Sequence, residues 1–287
     1  MDSIMAHSTG TILMNALSAL PSSHLSHLTH SISAVHHQHL RRLASILSSP
    51  TLFSLSLRHL QSLSLHHKTL LIARHLLSNL ALIKSHFAHT KKNSAAASTP
   101  CSAAHVLNLR DLDAVLLLLL LCELHHHDRG FLETPTCRWR LILGNYVSDS
   151  VLRLSSFGGC SNGEALIQFI DSVRRCWNLV NVLGFGEGNK ERKETATSPA
   201  AVVALPSVEV CGGGGECVIC KEEMKNGREV CELPCGHLFH WSCILRWLKK
   251  INTCPCCRCR LPTDDVRLEI ERLMDDFART GGGGGGF

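Results

Sequence analysis

Cys217-Val-Ile-Cys220, Cys235-Gly-His237, His240-Trp-Ser-Cys243 and Cys254-Pro-Cys-Cys257 are four closely spaced pairs of cysteine and histidine within 41 residues. They provide eight ligand candidates, enough for two closed tetrahedral zinc sites of the structural kind. Ligands two or three residues apart reach one metal from a single turn, so each pair is half a site. A module of about 50 residues buries too little apolar surface to be stable alone. Zinc supplies the missing stability, roughly 10–16 kcal/mol per structural site at neutral pH.

The order Cys-x-x-Cys, Cys-x-His, His-x-x-Cys, Cys-x-x-Cys resembles the RING finger of the two-histidine type, and the likeness covers about 50 of the 287 residues. A PHD finger has a different ligand order with one histidine, and a LIM domain repeats its sets consecutively. The RING resemblance implies a cross-brace, in which the first and third pairs hold one ion and the second and fourth hold the other. Cys217, Cys220, His240 and Cys243 would then form one site, and Cys235, His237, Cys254 and Cys257 the second. The same resemblance implies ubiquitin ligase activity, with Ile219, Trp247 and Pro255 forming an apolar groove for a ubiquitin-conjugating enzyme. It also gives Arg258 the role of a cation bridging that enzyme and ubiquitin. Phe239, between the two ligand histidines, reads as core, and Cys231, Cys256 and Cys259 as spectators.

Outside this module the chain is rich in Leu and poor in aromatics, which favours helices over sheets. Ser3 to Arg110 contains no Asp or Glu. Fifteen cysteines would suit a secreted disulfide scaffold. Six of them are ligand candidates, however, the other nine are scattered, and no charged stretch followed by an apolar one opens the chain. A reducing compartment is the expectation.

Helical spacing of Leu25, Leu28, Ile32, Val35, Leu43 and Ile46 predicts a helix opening at Pro21. Ser49 and Pro50 read as N-cap and first residue of the next helix, continued by Leu57 and Leu60. Leu70, Ala73, Leu77, Leu80 and Ile83 mark a third, and 91–104 reads as a loop. The nine-residue apolar run Ala114–Cys122 is too short for a membrane span and predicts a buried helix, with His125-His126-His127 as its solvated end. Helical patterns return at Cys137–Leu143 and Glu164–Leu183.

The fold expected is mostly α: a helical domain at 1–183, a flexible linker with a short helix at 184–215, the zinc-bound RING at 216–262, a C-terminal helix at 263–280 and a disordered glycine tail at 281–287. Gly212–Gly215 reads as a hinge, and Val266, Ile270, Met274 and Phe277 as one face of the last helix.

Short stretches across the chain add a second resemblance: Leu25-Ser-His-Leu-Thr-His-Ser31, Ser48-Ser-Pro-Thr-Leu-Phe-Ser54, Leu109-Arg-Asp-Leu-Asp-Ala-Val115 and Ser198-Pro-Ala-Ala-Val-Val-Ala-Leu205. They are similar to plant RING ligases of the shoot-gravitropism, amyloplast-associated kind. That likeness implies a role at the plastid surface in gravity-sensing tissue. The expected function is therefore a ligase acting by position, with two zinc ions as cofactors. Its expected partners are a conjugating enzyme, ubiquitin and an unknown protein substrate, with peripheral rather than transmembrane attachment to the plastid. The alternative is a non-catalytic zinc scaffold that only binds a partner protein. Nucleic-acid binding is disfavoured, because the basic residues are dispersed among helical leucines without interleaved aromatics.

Overall fold

The computed structural model describes residues 2–88, 107–156, 162–183, 195–210, 215–225 and 229–281. The chain divides into two compact units, one comprising Met1–Ile83, Leu107–Gly186 and Phe277–Phe287, the other Lys84–Val106 and Glu187–Asp276. The sequence readings of a loop at 91–104, a hinge at Gly212–Gly215 and a tail at 281–287 fall almost wholly outside the described residues.

The first unit is built from α1 (Asp2–Ser18), α2 (Ser22–Ser48), α3 (Pro50–Ser62), most of α4 (Leu65–Ala88), α5 (Leu109–His127), α6 (Thr136–Ser156) and α7 (Asn162–Leu183). The break between α2 and α3 lies where a capping serine and a proline stand together. Ser49 Oγ accepts the Leu52 N–H at 3.3 Å, and Pro50 occupies the first helical turn, where its missing N–H costs nothing. Asn108 caps α5 by accepting the Asp111 N–H at 2.8 Å. The apolar run makes α5 hydrophobic on nearly all sides, as suits a central helix. Its Ala114, Val115, Leu117 and Leu120 share one core with Ile46 of α2, Phe53 and Leu60 of α3, and Leu143 of α6. No helix among the described residues is long and apolar enough to cross a membrane. The three histidines are exposed at the α5 end, as a solvated terminus requires.

One ion pair is built into this core. Arg42 of α2 grips the buried Asp113 of α5 with two hydrogen bonds, at 2.6 and 2.7 Å. Such fork-on-carboxylate geometry satisfies both acceptor oxygens and fixes the register of the two helices. Arg140 of α6 donates to the Leu47 carbonyl at 2.9 Å and so closes the end of α2. α7 packs on α2 and α1, burying Ile170, Val173, Cys176 and Val180. α1 precedes every helix expected from the sequence. Its buried Leu13, Ala16 and Leu17 stand beside Ile12 and the exposed Met14, so apolar residues fall on both faces and blur the stripe.

The second unit contains α8 (Pro199–Val203), α9 (Trp241–Leu248), most of α10 (Val266–Gly281) and three short strands. β1 (Ser207–Glu209), β2 (Glu229–Glu232) and β3 (Leu238–Phe239) form one antiparallel sheet in that order. Val208 pairs with Val230, and Cys231 with Phe239. Residues 195–210 lie in the stretch read as linker, yet they belong to this unit's framework. Thr197 N–H donates to the Leu248 carbonyl and Ser198 N–H to that of Pro262, both at 2.9 Å. Ser198 Oγ accepts the Ala201 N–H at 3.2 Å as the cap of α8. Leu205 and Val210 join the hydrophobic core, and β1 completes the sheet. A three-residue strand carries too little periodicity to be read, and its partner lies some 20 residues onward.

Asp265 caps α10 by accepting the Leu268 N–H at 3.0 Å. The face read from the sequence is buried within the chain: Val266, Ile270, Met274 and Phe277, joined by Leu273. Its charged side is laced by Arg272, which bonds both oxygens of the buried Glu269.

Burial lowers the imidazoles of three histidines of the first unit, His36, His39 and His75. His75 of α4 is only 4% exposed and its ring lies 5.4 Å from that of His39 on α2. Burial, and secondarily the charge of His39, holds the His75 imidazole at about 4, against its ordinary 6.5. Between those values the unfolded chain binds a proton that the folded one refuses, so stability rises with pH across that window. It is fully present above 6.5 and falls by about 3 kcal/mol as pH drops towards 4. Urea unfolding at a series of pH values should show this slope, and His75→Gln should flatten it relative to wild type. Equal slopes in the two proteins would show that His75 is not the group responsible.

Candidate metal centre

The structure gathers the eight candidate residues into two groups. Cys217, Cys220, His240 and Cys243 form one, Cys235, His237, Cys254 and Cys257 the other, and the donor atoms of each group lie within 4.8 Å of one another. A tetrahedral zinc site with sulfur at about 2.3 Å spaces its ligands by about 3.8 Å, so both groups have the required size.

Two of the pairs sit on backbone knuckles of the same design. Lys221 N–H returns to the Cys217 carbonyl at 2.7 Å, and Arg258 N–H to the Cys254 carbonyl at 2.9 Å. Cys217 N–H reaches the Glu222 carbonyl at 2.8 Å, as Cys254 N–H reaches that of Cys259 at 2.9 Å. Bridges between Glu216 and Glu223, and between Thr253 and Arg260, close the two loops. Each loop turns through a residue of positive φ, 63° at Lys221 and 58° at Arg258. Non-glycine residues rarely adopt that conformation, so the surrounding bonds must impose it.

The other two pairs come from a turn and a helix. Gly236, at φ 79°, lets the chain reverse between Cys235 and His237, and its N–H donates to the Leu233 carbonyl at 2.8 Å. His240 stands at the N-cap of α9, which brings Cys243 round within one turn. The Nδ1 atom of His240 lies 3.3 Å from Cys220 Sγ, and that of His237 3.3 Å from Cys235 Sγ. Both rings therefore turn Nδ1 towards their sulfur neighbours.

The electrostatics suit thiolates that face a cation. Burial pushes the Cys217 thiol up, but backbone N–H groups of His240, Cys220 and Ile219 outweigh it and bring the thiol down to about 7. A backbone N–H of Cys259 likewise lowers Cys257. Cys235 is pushed up to about 12, first by burial and then by its neighbours Cys257 and Cys254. Its thiolate is disfavoured until a cation offsets the crowded sulfurs, and metal binding displaces such protons. The donor sets thus fit two zinc ions.

Around the groups, Ile219 is half-buried between Cys217 and Cys220 and packs on the unit's core. Trp247 is also half-buried against that core, and its indole Nε1–H donates to the Thr253 carbonyl at 2.7 Å. Thr253 immediately precedes Cys254, so the indole is tied to the segment entering the second group. Sequence reasoning missed that tie, because a carbonyl acceptor has no side-chain signature. Pro255 is half-buried and Arg258 exposed. Phe239 is fully buried, in agreement with its reading as core. Cys231 is buried in β2, and burial with Glu232 pushes its thiol up to about 12. Cys256 is exposed and Cys259 half-buried.

Comparison with known proteins agrees with this geometry. The Ring finger domain family matches residues 215–258. The chain is 49% identical over 287 residues to a protein named E3 ubiquitin-protein ligase SGR9, amyloplastic, from Arabidopsis thaliana, covering 96% of this chain and 98% of that protein. It is 47% identical over 122 residues to E3 ubiquitin-protein ligase RNF181 of Rattus norvegicus, 38% of this chain and 74% of that protein. A Drosophila melanogaster RNF181 homolog is 46% identical over 86 residues, which span 28% of this chain and 58% of that protein. No solved structure matches the chain. The chain belongs to the RING-type E3 ubiquitin-protein ligases, and is a transferase of that class.

Purified protein should contain two zinc ions per chain, and chelation should abolish the fold of the second unit, since modules of this size rarely persist without metal. Cys235→Ser should empty the group holding Cys254 and Cys257. Elemental analysis beside a thermal melt measures both effects, and one ion or none in folded wild type would contradict the assignment.

Proposed function

We propose that the chain docks a ubiquitin-conjugating enzyme on its RING and positions the carried ubiquitin thioester for attack by a substrate lysine. Cys217, Cys220, His240 and Cys243 hold one zinc in this reading, and Cys235, His237, Cys254 and Cys257 the other. Ile219, Trp247 and Pro255 form the docking surface. The observation that carries the proposal is the placement of Ile219 and Trp247: half-exposed apolar side chains, seated on one core and anchored beside opposite metal groups. Zinc, when bound, supplies structural rigidity. The chain's residues supply the orientation, and orientation alone lowers a barrier by several kcal/mol without a nucleophile.

Arg258 has a separate task. A guanidinium offers several donors in a rigid fork and bonds two proteins at once. Exposed beside the second group, it is placed to hold ubiquitin folded back on its carrier. The helical region 1–183 selects substrate or location, and 216–262, framed by residues 195–210, is the catalytic module.

The site of action is the plastid surface, with a role in gravitropism. The Arabidopsis relative is named amyloplastic and aligns with nearly the whole chain. The cytosolic face is favoured over the interior because ubiquitin and its conjugating enzymes are cytosolic. The acid-free stretch from Ser3 to Arg110 suits an anionic organelle surface.

Trp247→Ala should weaken binding of the conjugating enzyme by about 2 kcal/mol or more, as removal of an interface hot spot does. Arg258→Ala should leave zinc content and that binding nearly intact while slowing ubiquitin discharge to free lysine. Single-turnover discharge beside a binding titration separates the two roles. An Arg258→Ala protein that discharges at the wild-type rate would reduce Arg258 to a surface charge. Absence of autoubiquitination with any conjugating enzyme would favour the scaffold reading.

A fluorescent fusion of the whole chain should overlap a plastid marker and be digested by protease added to intact organelles. Diffuse cytosolic signal would refute the location, and protection from protease would place the protein inside.

A further inference from the structure

Three helix ends meet at one end of the first unit. His59, in the last turn of α3, has Nε2 3.0 Å from Asp111 Oδ1 in the first turn of α5. α4 starts at Leu65, two residues beyond the α3 C-cap Leu63. At this corner two leucines point into solvent. Leu65 is 60% exposed and Leu109 64% exposed, each on the first residue of its helix. Neither position serves the core, whose leucines lie deeper along the same helices.

The polar surroundings of the two leucines carry one sign of charge. Arg58 and Arg110 are exposed and Lys68 half-exposed. The sequence from Ser3 to Arg110 has nine Lys and Arg and no acid. The one carboxylate at the corner, Asp111, is held by His59 and by the Asn108 amide at 3.1 Å. Asp113, further along α5, is buried in its pair with Arg42.

We propose that this corner is a membrane-contact surface, with Leu65 and Leu109 entering the headgroup boundary of an anionic bilayer and Arg58, Lys68 and Arg110 pairing with lipid phosphates. The inference deepens the plastid-surface reading by naming the partner as the lipid itself, and rests on that reading only for the choice of membrane. Aliphatic side chains among cations gain from lipid, in which apolar area leaves water while the charges stay at the interface. Nucleic acid would be served by stacking aromatics, and the leucines here offer none.

The test is sedimentation of the full chain with phosphatidylcholine vesicles, with and without phosphatidylglycerol. Binding should require the anionic lipid and weaken at high salt. Leu65→Ser and Leu109→Ser should each reduce partitioning about tenfold. The triple variant Arg58→Gln, Lys68→Gln and Arg110→Gln should reduce it about a hundredfold. Leu141→Ser is the control. Leu141 is 65% exposed, near the start of α6, which follows the opposite end of α5, and its loss should leave partitioning unchanged. All these side chains are exposed or half-exposed, so thermal melts and autoubiquitination in solution should match wild type. No sedimentation with anionic vesicles, unchanged sedimentation of both leucine variants, or binding of RNA in place of vesicles would each overturn the proposal. A fusion that reaches plastids while the protein ignores protein-free vesicles would overturn it too, yet leave the plastid reading standing. Vesicle binding by a protein that stays diffuse in cells would support the lipid surface and refute the location.

Discussion

The second unit depends on two clusters of sulfur and imidazole donors that would repel or lie idle without a cation. Among the described residues its sheet has only nine strand residues, and its core is a short roll of leucines, valines and cysteines around Phe239. That apolar content is small for a stable fold. The donors are drawn alternately along the chain, so each metal ties two distant pairs, and neither site can form without the other's loops being nearly in place. Binding free energy at such sites is folding free energy. The same interleaving explains why segments 195–210 and 229–239 pair across the unit, since the metal groups bring β2 and β3 together and β1 adds to the edge they create.

The helical unit is held in a different way. It has room to bury a continuous core, and α5 supplies a nearly all-apolar cylinder for α2, α3 and α6 to pack against. Apolar packing of this kind is permissive about register. The Arg42–Asp113 pair removes that freedom, because sliding α2 along α5 would strand a carboxylate that is only 6% exposed. A buried charge without its partner costs about 3–5 kcal/mol.

Legibility in the sequence followed the range of the interactions. Ligand spacing is local, so all eight donors could be named from their pairs, while their grouping came from resemblance rather than spacing. Ser49 with Pro50 is likewise local, and the structure places a cap there. The nine-residue run of α5 announced burial because a helix with no polar face has nowhere else to go. α1 was missed because Ile12 and the exposed Met14 blur the face that buries Leu13, Ala16 and Leu17. β1 was missed because three residues show no alternation, and it is a strand only through β2. The carbonyl of Thr253 that holds the Trp247 indole was invisible for the same reason: main-chain acceptors are placed by tertiary structure, not by residue type.

The knuckles connect metal geometry to reactivity. A Cys-x-x-Cys loop that turns both sulfurs to one point leaves the following residue in the left-handed region, as Lys221 and Arg258 show at φ 63° and 58°. The backbone there is set by the ligand pair, so the direction in which each cation leaves the surface is inherited from the metal site. Lys221 and Arg258 are equivalent in backbone but not in chemistry. The lysine presents a single flexible ammonium, whereas the arginine presents a planar fork. The fork sits on the knuckle that also carries Pro255 and follows the Thr253 carbonyl bonded to Trp247. The role proposed for Arg258 asks for a base held still while its tip adapts, and its backbone, at φ 58° with its N–H on the Cys254 carbonyl, is fixed by the knuckle.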